Sequence, residues 1–177
     1  ADWKGSIANE FIYKGLKLSI LIDGQMGGSM YSQTNHKNNT LGKTKVTLPG
    51  RDNGIVGDGV VKQVDGKYTP NATNVAASAY YDNFYQISNA ETNIFDATFV
   101  KIREVRFEFN LPQQFLEKLG IKQTSVALFG RDLFNFTKFP GFDPEGGNLN
   151  NGTLTPGVEL TQFPSARSMG ANLTFKF

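Results

Sequence analysis

Five stretches of this sequence alternate apolar and polar residues with a period of two, and the last is the cleanest. Met169, Ala171, Leu173, Phe175 and Phe177 share one parity, against Gly170, Asn172, Thr174 and Lys176 on the other. A period of two puts successive side chains on opposite faces of an extended chain, so each stretch predicts a strand with one apolar and one polar face. Between positions 3 and 13 the odd residues include Trp3, Ile7, Phe11 and Tyr13, and the even ones include Lys4, Ser6 and Glu10. After the turn pair Lys14-Gly15, residues Leu16, Leu18, Ile20 and Ile22 face one way and Lys17, Ser19 and Asp23 the other, which predicts a β-hairpin. A third strand is expected over 97–111, where Val105, Phe107, Phe109 and Leu111 alternate with Arg106, Glu108 and Asn110. Lys101 and Arg103 share parity with that apolar face, which requires either a β-bulge near Arg103 or an upper half standing above a bilayer. A fourth strand, 121–136, carries Val126, Leu128, Phe134 and Phe136 on one parity, interrupted by Asp132.

The connections are as informative as the strands. Lys14-Gly15 and a segment opened by Pro112, helical over 113–119 and ended by Gly120, are short. The other two, 24–96 and 137–164, are long and rich in Gly, Asn, Ser and Thr. Such long connections are foreign to compact soluble domains, whereas outer-membrane barrels carry short periplasmic turns and long external loops. Only 39% of residues are hydrophobic, yet there are 15 Phe, so the apolar content sits on rings. No run approaches the roughly 18 uncharged apolar residues of a membrane-spanning helix. The two charge signs are interspersed, 18 Lys plus Arg against 16 Asp plus Glu, so no basic stripe points to nucleic acid. With no Cys there is neither a disulfide framework nor a thiolate metal site. The opening Ala1-Asp2-Trp3-Lys4 lacks the pattern of a signal peptide, so the chain is expected to be processed or to begin within a longer protein.

These features predict an all-β fold, a segment of an antiparallel transmembrane β-barrel with Leu16, Leu18, Ile20, Ile22, Phe107 and Phe109 facing lipid. Phe11 with Tyr13, Phe107 with Phe109, and Phe175 with Phe177 fall at one height, while Trp3, Phe99 and Phe134 fall at the other, as two interfacial girdles would require. Five strands cannot close a barrel, because even small ones need about eight. Further strands must therefore come from outside these residues. A soluble β-sandwich, for instance a carbohydrate-binding module, is the competing reading; it requires Leu18, Ile20, Leu173 and Phe175 to be covered by a second sheet.

Several segments taken in order resemble the C-terminal part of SusC/RagA-family transporters. They are Arg51-Asp52-Asn53-Gly54-Ile55-Val56, the run from Asp96 to Val105, Gly130-Arg131-Asp132-Leu133-Phe134, the run from Lys138 to Glu145, Phe163-Pro164, and Phe175-Lys176-Phe177. Asp132 stands where that family usually has Asn, and Ala166 where a Pro is common. The resemblance implies that residues 1–177 are the C-terminal part of a barrel of about 22 strands closed by an N-terminal plug. It further implies a bacterial outer-membrane location, energy from TonB acting through the plug, a SusD-like surface lipoprotein as partner, and glycans or peptides as cargo. Plug and N-terminal domains lie outside these residues. A passive porin shares the barrel and differs in the plug.

Enzyme chemistry finds little to build on. His36 is the only histidine, in an Asn/Lys-rich loop, and reads as a solvated side chain. Asp143 and Glu145 lack the spacing of a calcium loop and read as turn and loop-packing residues. No cofactor, metal or catalytic residue is therefore expected. The Asn71-Ala72-Thr73 triplet matches a glycosylation pattern by accident. Tyr80, Tyr81, Phe84 and Tyr85 remain open between packing their loop onto itself and contacting a lid partner or substrate. Phe177, with Phe175 and Leu173, is expected to act as the signal read by the outer-membrane insertion machinery, since a terminal strand with an unpaired edge suits β-augmentation.

Overall fold

The computed structural model describes residues 1–116, 121–141, 143–145, 148–150 and 153–176. In chain order the elements are β1 (Trp3–Tyr13), β2 (Leu16–Met26), β3 (Ser29–Ser32), α1 (Gln33–Thr40), β4 (Ile55–Val56), β5 (Val60–Lys62), β6 (Tyr68–Pro70), β7 (Asn74–Val75) and α2 (Ala77–Tyr85). They continue with β8 (Ile94–Asp96), β9 (Phe99–Asn110), α3 (Gln113–Leu116), β10 (Gln123–Thr137), β11 (Asn148–Asn150), β12 (Thr153–Thr155), β13 (Val158–Glu159) and β14 (Ser168–Lys176). The chain divides into two compact units. One comprises Ala1–Ser29, Asp96–Glu145 and Phe163–Phe177; the other comprises Met30–Phe95 and Gly146–Gln162.

The first unit is a five-stranded antiparallel sheet in the order β1-β2-β9-β10-β14. Its first turn is a two-residue hairpin with Lys14 at φ 45° and Gly15 at φ 84°. Positive φ at both central residues matches the right-handed strand twist, and Gly15 adopts it without strain. The register then lines up one face. Tyr13, Leu16, Phe109, Val126 and Leu173 form one cross-strand row, and Phe11, Leu18, Phe107, Leu128 and Ala171 form the next. The opposite face carries Lys17, Glu108, Ala127 and Asn172, then Glu10, Ser19, Arg106, Phe129 and Gly170.

Among the described residues no second sheet covers the apolar rows. Leu173 is 59% and Phe175 47% exposed, Phe11 and Leu128 are similar, and Leu18 and Ile20 are half-buried only by their neighbours in the sheet. A sandwich would bury all of them, so that reading falls. The outer edges of β1 and β14 have no strand partner among the described residues. Both short connections lie at the Tyr13–Leu16 end of the sheet, and both long ones leave from the other end.

The irregularity expected near Arg103 is a β-bulge. On the β2 side Leu21 and Ile22 oppose Glu104 and Ile102, leaving Arg103 as an extra residue; on the other side Arg131 and Phe134 oppose the same pair. Asp132 sits in that second irregularity at φ 50°. The extra residue flips the parity of β9. Below it the odd residues Val105, Phe107 and Phe109 lie on the apolar face; above it the even residues Ile102 and Val100 do, and Lys101 joins Asp23 and Asn135 on the polar side. Phe99 follows the same flip, which corrects its expected place in the outer girdle: it pairs with Gln25 and Thr137 on the polar side and is 3% exposed. Trp3, Phe134 and Phe136 remain exposed at that end of the apolar face.

The second unit shows that the long excursion is folded rather than structureless. A small sheet, β13-β3-β8, packs with α1, α2 and 3-10 turns at Lys45–Thr47 and Ile87–Asn93. Its interior is largely polar: Ser32, His36, Asn39, Thr47, Asn93 and Glu159 are buried beside Met30. His36 is therefore not a solvated loop residue. Its Nδ1 lies 2.5 Å from the Tyr85 carbonyl, which requires the proton on that nitrogen, and Asn93 Nδ2 donates to the same oxygen at 3.0 Å. Lacking an apolar stripe, the excursion closes on such bonds, which period-based reading does not detect.

Candidate functional site

The polar face of the sheet holds a charged cluster built by the bulge. Lys101, 3% exposed, donates from Nζ to Asp143 Oδ1 at 2.5 Å and to Glu145 Oε2 at 2.7 Å, and stands 4.8 Å from the centre of the Phe99 ring. Arg103 Nε and Nη2 donate to Asp23 Oδ2 at 3.0 and 2.7 Å; Nη2 also reaches Glu145, and Nη1 lies 3.6 Å from Asp132. A buried ammonium requires such pairing, since an isolated charge in a low-dielectric site is costly. Asp143 and Glu145 are thus loop-packing residues, and their carboxylates hold the loop after β10 against two cations of β9. Elsewhere on this face the charges are paired within the sheet: Glu10 with Lys17 at 2.6 Å, Arg106 with Glu108 at 2.8 Å, and Glu104 with Arg131 at 2.8 Å.

In the second unit Glu159 organises α1. Its carboxylate accepts from Ser32 Oγ at 2.7 Å, Thr34 Oγ1 at 2.6 Å, Thr34 N at 3.0 Å and Thr161 N at 2.5 Å, while Ser32 Oγ itself caps Asn35 N at 3.1 Å. Burial alone would raise this carboxyl, but the bonds from Thr34 and Ser32 hold it below the ordinary carboxylate range. Sequence reasoning missed Glu159. A local capping box would show an acid three residues after Ser32, whereas this one arrives from β13 and leaves no local signal.

The four rings singled out in the sequence lie together on α2. Tyr80 stacks on Phe84 at 6.1 Å and meets Tyr81 edge-on at 5.3 Å, and Phe84 meets Tyr85 edge-on at 5.0 Å. Tyr81 is buried with its hydroxyl donating to the Pro49 carbonyl at 3.3 Å, and burial with the neighbouring Tyr81 and Tyr80 pushes the Tyr85 phenol above its ordinary value. Tyr81 and Tyr85 therefore pack the loop, whereas Phe84 is 44% exposed and borders a 350 Å³ recess with Tyr80. Beside α2 lies a larger groove of 730 Å³ lined by Asn39, Arg51, Asp52, Ser78 and Tyr81 among others.

The six residues expected to face lipid all lie on the apolar face in the register above, with Phe107 45% and Phe109 37% exposed. Leu173 and Phe175 are on the same face; Phe177, like Gly120, lies outside the described residues. No helix among the described residues is long and apolar enough to cross a membrane, and strands β1, β2, β9, β10 and β14 have the length of about nine or more residues that a tilted crossing strand needs.

No family model matches the chain. Two TonB-dependent receptors of Formosa agariphila are similar over nearly all of it: P39 is 26% identical over 180 residues, 100% of this chain, and P26 is 26% identical over 175 residues, 94% of it. A third, P3, is 30% identical over 88 residues, 48% of this chain. The chain spans 16% of the length of P39 and of P26, and 9% of P3. Among solved structures, the RagAB peptide transporter matches with a TM-score of 0.67 and 22% identity over 98% of this chain and 17% of that one; the open-open RagAB peptide importer matches at 0.65 and 20%, with the same coverage. An antiparallel sheet with one exposed apolar face, one charged face and long connections at one end, sharing this fold, defines a segment of a transmembrane β-barrel. The chain is thus similar in sequence over nearly its whole length to TonB-dependent receptors, and it shares the fold of the RagAB peptide transporter.

Proposed function

We propose that this chain forms part of the wall and external loops of a bacterial outer-membrane importer that takes up oligopeptides or oligosaccharides and is energised by TonB through a plug encoded elsewhere in the parent protein. The observation that carries the reading is the sheet itself: its apolar rows are covered by no second sheet among the described residues while the opposite face is charged and internally paired, as a wall between lipid and an aqueous lumen requires. In this reading residues 1–177 are the C-terminal part of the barrel. A SusD-like lipoprotein caps the outer side, and Tyr80 and Phe84, the rings least occupied by packing, contact it or the cargo.

The test is uptake by the parent protein. Cells relying on oligopeptides or oligosaccharides too large for general porins should lose growth when the parent gene is deleted, and should lose it equally when TonB is disabled. Growth that persists without TonB would indicate a passive pore, and a parent protein that stays monodisperse without detergent would remove the barrel reading. Phe177 with Phe175 and Leu173 is proposed as the insertion signal. Deleting Phe177 should abolish membrane insertion in cells and leave folding into detergent nearly normal; equal losses would make it an ordinary anchor.

A further inference from the structure

Cations on the polar face of the sheet keep contact with water even when paired. Lys17, bonded to Glu10, has 34% of its side chain exposed, and Arg131, bonded to Glu104, has 58%. Lys101, on the same face nearer the end from which the long connections leave, has 4%. The difference is what lies over it. Beyond β10 the chain turns back onto β9: Thr137 Oγ1 donates to the Thr98 carbonyl at 2.7 Å, and the Phe139 amide donates to Thr137 Oγ1 at 3.1 Å. Phe139 is 4% exposed, and Phe99, on the polar side of β9, is 3% exposed. Asp143 and Glu145 then reach Lys101 Nζ at 2.5 and 2.7 Å, and Glu145 also meets Arg103.

This segment is thus tied to the polar face at both of its ends. We infer that the described residues 138–141 and 143–145 form a strap folded inward over the outer part of the lumen wall, narrowing the passage there, and that the pairs to Lys101 and Arg103 are the catch that holds it down. The inward direction rests on the barrel reading above, in which the polar face lines the lumen. A lysine ammonium with almost no water contact needs its carboxylates, because an isolated charge in such a place is costly. Without them it regains water only if the strap lifts. The strap therefore has two positions set by one group of ion pairs: down, with Lys101 dry and paired, and raised, with Lys101 and the carboxylates hydrated.

The experiment uses the full-length parent protein, freed of any native cysteine, in lipid nanodiscs. It reads the rate at which a charged, membrane-impermeant maleimide labels Phe99→Cys. Replacing both strap carboxylates, Asp143→Asn with Glu145→Gln, should accelerate labelling at least about tenfold. Glu10→Gln, which breaks the Lys17 pair elsewhere on the same face, should leave it unaltered. Because Phe99→Cys also removes a packed ring, hydrogen exchange with Phe99 in place supplies a second reading. In the double variant the amides of Phe139 and Glu145 should exchange at least about tenfold faster, and those of β1 and β2 at their former rates. Exchange unchanged by the double substitution would overturn the catch, and labelling of Phe99→Cys that is already as fast before the substitution would overturn the cover. Labelling of Leu18→Cys by the same reagent would instead overturn the barrel reading, and the inward direction with it.

Discussion

The sheet and the folded excursion after β2 solve opposite problems. In the sheet the backbone is satisfied by neighbouring strands, and the large apolar side chains are left uncovered, so stability must come from what surrounds it. In the excursion few apolar side chains are buried, and a buried set of Ser, Thr, Asn, His and Glu closes the unit through its own bonds. The first is specified by a pattern along the strand, the second by individual partners far apart in sequence. Local change should therefore be tolerated differently in the two.

The largest effect separating them is expected on the apolar face. Leu18→Arg or Ile20→Arg should destabilise the barrel by ~2–4 kcal/mol when measured by folding of the parent protein into lipid, and Ser19→Arg, one position away on the polar face, should be mild. Equal effects at Ile20 and Ser19 would erase the difference between faces. Next comes Glu159→Ala, which leaves Ser32 and Thr34 donors buried without their acceptor and should cost about 2 kcal/mol. Hydrogen exchange should then accelerate over Gln33–Thr40 and not in the sheet; acceleration in both would mean that the two regions are not independent.

Acid should act in the same place. Because the folded Glu159 carboxyl sits below its ordinary value, its contribution is fully present above the unfolded value of about 4.3 and is lost as pH falls through the lower folded value. Exchange protection of α1 should hold at pH 6 and decline only below about pH 4; protection lost already near pH 6 would point to a different group.

Within the sheet, a Cβ at Gly170 would lie 2.6 Å from the Phe129 ring, which covers it. Gly170→Val should cost ~1–2 kcal/mol in the same lipid-folding assay, the ordinary penalty of overpacking. The smallest effect is a gain. Lys14 holds φ 45°, and Lys14→Gly should stabilise the hairpin by about 1 kcal/mol or less, because glycine accepts that conformation freely. A loss there would mean that the Lys14 side chain, 5.3 Å from the Tyr13 ring, contributes more than the strain it imposes.

The same division explains what the sequence shows. All five long strands are legible from parity, and the hairpin from Lys14-Gly15, because alternation and turn chemistry are local. Arg103 is legible as an anomaly, since two cations on an apolar parity demand a bulge or an exit from the bilayer, and only the register decides between them. Phe99 is misplaced in the sequence reading because it lies beyond the flip, where parity counted from Phe107 no longer holds. His36 and Glu159 are invisible for another reason: their partners, Tyr85 and Thr34, lie 49 and 125 residues away.

The bulge at Arg103 also sets a rule for how this wall can change length. Because Glu104 and Ile102 already oppose the consecutive residues Leu21 and Ile22, deleting Arg103 alone would remove the bulge and leave Lys101 on the polar face and Val100 and Ile102 on the apolar one, whereas deleting one residue from the regular stretch below it, with the bulge kept, would turn Lys101 to the apolar face. Loops between the strands can grow or shrink one residue at a time. The regular part of the strand can be edited only in steps of two, and the bulge is the one place where a single residue can go without reversing the faces.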